Sequence, residues 1–443
     1  MKINFLTDII DLKLISRAFR YRNYRLFFTG QGISLIGTWM QRIALSWLVY
    51  RLTNSAFLLG VVGFAGQIPA SILAPLGGVL ADRLNRQRFL ILLQTLAMIQ
   101  AFILAFLVLT HTIAFWHILS LSILLGLINA FDIPTRQSFV IEMVEKKEDL
   151  GNAIALNSSM FNGARLIGPS VAGILIAAVG EGLCFLINAI SFLSVIIALM
   201  AMKIKPKEKI IHQSHVLKGL KEGFSYAFGF EPIRTILLLI SLVSLIGTFY
   251  AVLMPIFAND ILHGGSYALG FLMAGAGIGA LIGAIYLASR KTSVGLAKMI
   301  AIAAAVLGFG QILFSFSKFF WLSMMMILIV GFGLMVQMAS CNTVLQTIVD
   351  DDKRGRVMSL YAMAFMGMAP FGSLIAGGLA NRIGAPNTLM IGGFCCIIGA
   401  ILFARRLPTL NKMVHPIYIK HGMITEDVKT AEIAAQITDP QED

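Results

Sequence analysis

The chain has 443 residues, of which 58% are hydrophobic and 13% charged, with a net charge of +13 and a mean hydropathy of +0.83. A globular domain averages about 45–50% apolar and about 25% charged residues, so a water-soluble enzyme or binding domain is excluded: too little polar surface is available to cover the apolar side chains. A transmembrane β-barrel is excluded as well, because its strands alternate apolar and polar at every second residue, whereas the apolar runs here are continuous.

Runs of about 20 apolar residues are what a hydrocarbon core about 30 Å thick demands of a helix. Before the first run stand Lys2, Lys13, Arg17, Arg20, Arg22 and Arg25. No small-residue cleavage site follows an apolar core there, which argues against a removable signal peptide. Residues 1–24 are expected to form a cytoplasmic amphipathic segment on the membrane surface. Six predicted spans follow, over 25–51, 56–81, 89–110, 114–143, 152–179 and 182–203, an N-terminal bundle of residues 25–203. The stretch 204–231, IKPKEKIIHQSHVLKGLKEGFSYAFGFE, is basic and partly amphipathic and reads as a cytoplasmic linker. Six more spans, over 232–260, 267–289, 296–316, 319–349, 356–381 and 386–405, make a C-terminal bundle of residues 232–405. Residues 406–443 are expected to be a polar cytoplasmic tail. The predicted fold class is thus an all-α membrane protein with 12 transmembrane helices in two six-helix bundles.

Basic residues gather in alternate loops: Arg83, Arg86 and Arg88; Lys146 and Lys147; Lys203 to Lys209; Arg290 and Lys291; Lys353, Arg354 and Arg356. The loops between them hold little beyond Arg51, Lys318 and Arg382. By the positive-inside rule both termini are cytoplasmic, so the positive charge reports topology and not nucleic-acid binding. The four cysteines, Cys184, Cys341, Cys395 and Cys396, fall inside spans, and His111 and His117 lack a metal-ligand pattern. No disulfide framework, metal or cofactor is expected.

The two bundles repeat one another. SLIGTW at Ser34–Trp39 and SLIGTF at Ser244–Phe249 are 210 positions apart, and Leu59-Gly60 and Leu269-Gly270 keep that spacing. Further on, Gly151, Leu156, Phe161, Gly163, Gly168 and Gly173 match Gly355, Leu360, Phe365, Gly367, Gly372 and Gly377 at a spacing of 204. An even number of spans per copy gives both copies the same orientation. Parallel repeats about an axis normal to the membrane, with the substrate between them, are a transporter architecture. The repeated word is read as the same helical turn used once per bundle.

Polar residues inside spans are costly and mark function by default. Span 1 carries Gln31, Ser34, Thr38, Gln41, Arg42 and Ser46 along one face, with Arg42 roughly 12 Å before the end of the span. Span 4 carries Asn129, Asp132 and Arg136; span 5 carries Ser158, Asn162 and Arg165. Gln41, Arg42, Asn162 and Arg165 are the candidate substrate contacts, and Arg42 can alternatively snorkel to the surface. Asp132 is the candidate proton carrier, or else simply neutralises Arg136 four residues on. Gly275, Gly279 and Gly283 form a small-residue packing stripe in span 8.

The loop Gly78-Val79-Leu80-Ala81-Asp82-Arg83-Leu84-Asn85-Arg86 resembles the signature loop of the major facilitator superfamily, with Asn85 where a second glycine is usual. Asn tolerates a left-handed turn. The resemblance implies a cytoplasmic gate built from Gly78, Asp82, Arg83 and Arg86, with Arg136 as a partner. Ala164-Arg165-Leu166-Ile167-Gly168-Pro169-Ser170-Val171-Ala172-Gly173 resembles the antiporter motif of superfamily exporters, Ala164, Gly168, Pro169 and Gly173 holding its positions. DIPTRQSF, ALNSSMFNGARLIGP and RGRVMSLYAM resemble the drug and siderophore exporter branch that includes the enterobactin exporter.

What the resemblance implies is a proton-coupled exporter working by alternating access in a bacterial inner membrane, moving a small organic molecule. Unpaired arginines favour an anionic siderophore-like substrate, and abundant Met and Phe favour multidrug efflux; an importer on the same fold is a further alternative. An intramembrane enzyme is disfavoured: VDDDKRG at Val349–Gly355 reads as acids capping the next helix. The expected partners are a small-molecule substrate, protons and the lipid bilayer, with no nucleic acid, and the protein is expected to be a monomer.

Overall fold

The computed structural model describes residues 17–204, 216–290, 292 and 294–420, with the side chains of Pro75, Asp82, Lys147, residues 216–221 and Lys420 outside that description. The surface-helix expectation for residues 1–16 lies outside the described residues. After a 3-10 turn at Arg17–Arg20 come α1 (Arg22–Thr53), α2 (Ala56–Arg83), α3 (Arg86–Leu109), α4 (Phe115–Met143), α5 (Lys147–Val179) and α6 (Glu181–Ala201). The second half holds α7 (Val216–Gly229), α8 (Glu231–Ile246), α9 (Phe249–Ile256), a π turn at Phe257–Ile261, α10 (Gly265–Ala288) and α11 (Leu296–Phe316). It ends with α12 (Phe320–Ile348), α13 (Asp351–Met366), α14 (Met368–Ile383) and α15 (Ala385–Lys420). No strand occurs among the described residues.

Helix closes every backbone hydrogen bond within one segment, which is why apolar runs in a bilayer adopt it. Among the described residues, eleven helical stretches are long and apolar enough to cross a membrane, by length and composition. α1, at 32 residues, is long enough but carries too many polar side chains to count with them.

α1 packs on α5 and α6, α3 on α4 and α6, and α2 on α4; in the second half α10 and α11 flank α12, and α15 lies on α11. The halves meet where α2 crosses α14 and where α5 crosses α10. Each crossing is a glycine against a glycine. A Cβ on Gly60 would lie 2.5 Å from the Ser373 carbonyl oxygen and 3.0 Å from Gly377 Cα. A Cβ on Gly270 would lie 2.7 Å from the Pro169 carbonyl oxygen and 2.6 Å from Gly173 Cα. Gly60 and Gly270 are repeat mates, as are Gly377 and Gly173, so one contact is made twice around a pseudo-twofold axis.

Both crossings lie at the end away from the basic loops. There the ends of α1, α3 and α5 and the starts of α2, α4 and α6 share one apolar core with the second half, including Tyr50, Leu59, Ala172, Phe185, Leu253 and Ala376. At the basic end the first half keeps a separate core of Tyr24, Phe27, Leu90, Phe139, Ala153 and Phe192. Ser158, Ser159, Thr343, Gln346 and Ser359 are exposed on that side. Hydroxyl and amide groups at such depth line a watery opening, since lipid offers them no partner. The halves therefore touch at one end and stand apart at the other.

The repeat is imperfect at its own signature word. Ser34–Trp39 runs unbroken through α1, but Gly247 and Thr248 interrupt the second copy between α8 and α9. Likewise Gly163 lies inside α5, whereas its mate Gly367 separates α13 from α14. Side chains satisfy the carbonyls so freed. Gln311 Nε2 donates to the Gly247 carbonyl, Thr248 Oγ1 to the Ser244 carbonyl at 2.8 Å, and Ser244 Oγ to the Phe365 carbonyl. Ser71 Oγ of α2 reaches across from the first half to the Met366 carbonyl at 3.0 Å.

The final helix continues to Lys420, past the boundary expected at 405, because Leu410, Val414 and Tyr418 recur every four residues and are buried in the common core. Arg406 Nη1 ties it to Glu231 Oε1 at 2.9 Å. In α7, Tyr226 donates to Asp350 at 3.3 Å, its phenol pushed up by burial and by that carboxylate. The glycine stripe of α10 is structural: Gly279 meets the Leu328 carbonyl and Gly283 the Phe332 carbonyl of α12. Gly279→Ala is expected to cost about 1–3 kcal/mol by overpacking, read as a lower thermal midpoint in detergent. Gly378→Ala, where nothing lies within 4 Å of an added Cβ, is expected to be neutral or to gain about 0.5–1 kcal/mol.

Candidate substrate site and gate

Gly168 brings α5 onto α1: its Cβ would stand 2.5 Å from Trp39 Cβ and 2.9 Å from the Ile36 carbonyl oxygen. That approach makes Trp39 the centre of a cluster. The Phe161 ring sits edge-on at 5.6 Å, Arg42 Cζ lies 5.2 Å from the indole centroid, and Arg165 Cζ lies 6.0 Å from it. A cation within about 6 Å of a tryptophan face is attracted by the ring quadrupole. Among the described residues neither guanidinium has a carboxylate within ion-pair distance. Arg42 is accessible along the side of α1, Arg165 is half-buried, and Asn162, one turn before Arg165, donates to the Ser158 carbonyl at 2.9 Å. Two like charges therefore share one indole without a counter-ion, a surface that favours an anion.

Gln41 does not join them. Successive residues on a helix point about 100° apart, and Gln41 is buried towards α3 and α6. Its Nε2 donates to Gln100 Oε1 at 3.1 Å, and its Oε1 accepts from Asn188 Nδ2 at 2.6 Å. Gln100 passes the chain on to the Leu121 carbonyl at 3.3 Å. The polar stripe of span 1 thus corrects to two faces, Gln41 fixing the bundle and Arg42 reaching open space.

Asp132 is buried in the first half and both oxygens are engaged, Oδ1 by Gln94 Nε2 at 2.6 Å and Oδ2 by Arg136 Nε at 3.5 Å. Of the two partners the sequence offered Arg136, it meets Asp132, four residues back on its own helix. The Asp82 side chain lies outside the described residues. Arg86 holds Glu142 Oε1 of α4 at 2.6 Å and the Ala81 carbonyl at 3.0 Å, and Arg83 is exposed. Gly78 is half-buried, with nothing within 4 Å of an added Cβ. Asn85 is not left-handed: at φ −72° and ψ 107° it caps α3, accepting from Arg88 N at 3.0 Å. In α5, Ala164 and Pro169 are buried, Gly168 faces α1, and Gly173 faces α10, so one motif serves two interfaces. Among the described residues no cluster could hold a metal ion. Asp350 occupies the cap position of α13 without a capping bond from its side chain.

A sequence profile described as transmembrane secretion effector matches residues 17–432. The chain belongs to that family. Members of the transmembrane secretion effector family are major facilitator transporters and not enzymes. The chain is 27% identical to the staphyloferrin A transporter of Staphylococcus aureus over 86% of this chain and 95% of that protein. It is 24% identical to the multidrug efflux pump Tap of Mycolicibacterium fortuitum over 82% and 88% of the two chains. Among solved structures, a POT family transporter with 5-aminolevulinic acid superposes with a TM-score of 0.72 at 12% identity, covering 88% of this chain and 97% of that one. A bacterial homologue of the human lysosomal transporter Spinster gives 0.69 at 13% identity, with 88% and 97% covered. At such identities the likeness establishes the fold alone, all-helical; that the chain is a multi-pass membrane transporter follows from the family match.

Trp39, Gln94, Gln100, Glu142 and Asn188 escaped the sequence reading, because the partners that reveal Gln94, Gln100, Glu142 and Asn188 stand on other helices. The two kinds of polar residue separate experimentally. Asn188→Leu leaves Gln41 Oε1 buried without a donor and is expected to cost about 1–3 kcal/mol in thermal unfolding. Arg42→Gln gives up only an exposed cation–π contact of about 0.5–1 kcal/mol and is expected to lower the midpoint less than Asn188→Leu does.

Proposed function

We propose that this chain is a proton-coupled exporter of a small anionic, siderophore-like molecule, working by alternating access. The observation that carries the reading is the pair of arginines over Trp39 without a counter-ion, in a helix-lined opening between the halves; the resemblance to the staphyloferrin A transporter supports it. In this reading α1 is the twelfth span, and the chain forms two six-helix bundles related by the parallel repeat. Both termini are cytoplasmic in the bacterial inner membrane and the transporter works as a monomer. The basic end then faces the cytoplasm, so the opening is the inward-facing state, ready to load cargo from inside. Arg42, Arg165 and Asn162 contact the substrate.

Asp132 carries the proton. Neutralising it releases Arg136, and the freed cation is available to the gate of Gly78, Asp82, Arg83 and Arg86 at the end of α2. Two states of one ion pair thereby couple proton binding to gate position. A second reading, efflux of apolar drugs, is favoured by the Phe64–Phe371 pair at 5.7 Å across the two halves and by the resemblance to Tap.

Comparing the metabolites of medium and cytosol with and without the protein under iron limitation tests the substrate. A carboxylate-bearing chelator retained in the cells supports the first reading, and drug sensitivity without a metabolite change supports the second. Arg42→Ala and Arg165→Ala are each expected to raise the KM for an anionic substrate by about 10- to 150-fold, as loss of a charge-assisted contact of about 1.5–3 kcal/mol requires. Asp132→Asn is expected to abolish proton-driven efflux in vesicles while leaving membrane insertion intact. Normal, still pH-dependent efflux in that variant would remove Asp132 from the mechanism.

A further inference from the structure

At the closed end the halves are also joined by a side-chain bond: Tyr50 OH of α1 donates to Asp260 Oδ2 in the π turn that follows α9. The two residues are 210 positions apart, the spacing of the repeat itself. Equivalent positions of a twofold repeat meet only on its axis, so this bond sits on the pseudo-twofold axis, at the end where the cores of both halves merge. The copies have diverged there into a donor and an acceptor.

The surroundings direct the bond. Tyr50 is buried. Asn259 Nδ2 holds the other carboxylate oxygen, Asp260 Oδ1, at 2.8 Å. Arg51, next to Tyr50, is held elsewhere: its Nε and Nη2 bind Glu181 at 2.7 and 3.2 Å, so it does not compete for Asp260. The π turn interrupts the regular α-helical ladder of this span, and such turns are frequent at functional sites. The glycine crossings on either side provide close contact without direction; the Tyr50–Asp260 bond supplies direction, and it exists only while this end is closed.

We propose that Tyr50 and Asp260 form the latch that holds the transporter shut at the end opposite the basic loops, and that its opening is a step of the transport cycle. They are positioning residues and do not touch substrate. The proposal rests on the alternating-access reading, since a latch has meaning only if this end opens.

The test is a distance measurement between spin labels at Thr112→Cys and Lys318→Cys, exposed positions of the two halves at the latched end, in the full chain with its four native cysteines replaced by alanine. The protein is held in lipid nanodiscs, and efflux is measured in parallel. Tyr50→Phe and Asp260→Ala should each raise the long-distance, open population about tenfold, the change expected from loss of one hydrogen bond to a charged group. The double variant should open no further than the single variants, because all three lose the same bond. KM should stay within about twofold while the turnover rate changes, as loss of a gate contact and not of uniform binding requires. Two distances in the parent with an unchanged ratio in the variants would overturn the latch and leave alternating access standing. A single short distance in parent and variants alike would overturn both. A raised KM with an unchanged distance ratio would make Asp260 a binding residue and overturn the latch.

Discussion

Two glycine crossings set the geometry of the molecule. Where Gly60 meets Gly377 and Gly173 meets Gly270, α2 lies against α14 and α5 against α10 at a separation that leaves no room for a Cβ. In a bilayer the hydrophobic effect does not drive helices together, because lipid is as apolar as leucine; close backbone approach and its dispersion contacts do so instead. The crossings are repeat mates, so whatever moves one moves the other around the same axis. Both lie at the end away from the basic loops, and the halves stand apart at the basic end.

The second constraint is the backbone. Breaking a helix inside a membrane exposes carbonyls that water cannot reach, at a cost of several kcal/mol each if left unmet. The second half breaks two of its spans, at Gly247 and Gly367, and Gln311, Thr248, Ser244 and Ser71 meet the cost. Ser71 comes from the other half. The break at Gly367 is therefore sensitive to the relative position of the halves, whereas α1 and α5, which carry the Trp39 cluster, run without a break.

Charge placement follows the same division. The first half buries Asp132 with Arg136 and Gln94, ties Arg86 to Glu142, and closes its far end with Arg51 on Glu181. Arg42 and Arg165 are left without a carboxylate among the described residues, and Trp39 is what makes their proximity tolerable. Glycine again decides the matter: Gly168 sets α5 against the Trp39 backbone, and without that approach the two guanidinium groups would not converge on one ring.

The sequence by itself determined the membrane solvent, the helical class, the spacing of the spans and the repeat, because these depend on composition and period, which are local. It also marked the glycines of the crossings, since small residues at repeated positions are a pattern legible along the chain. Tertiary structure alone decided which polar residues work together. Gln41 and Arg42 are neighbours in sequence, yet one is engaged by Gln100 and Asn188 inside the bundle and the other reaches the opening. The Asp132–Arg136 pair, four residues apart on one helix, was by contrast legible in the sequence as one of two readings. Tyr50 and Asp260 carry no motif, and their bond is visible only once the repeat axis is built. A helix face can be read from a period of 3.6 residues, but which partner fills it depends on a neighbour hundreds of positions away, and one sequence carries no record of that distance.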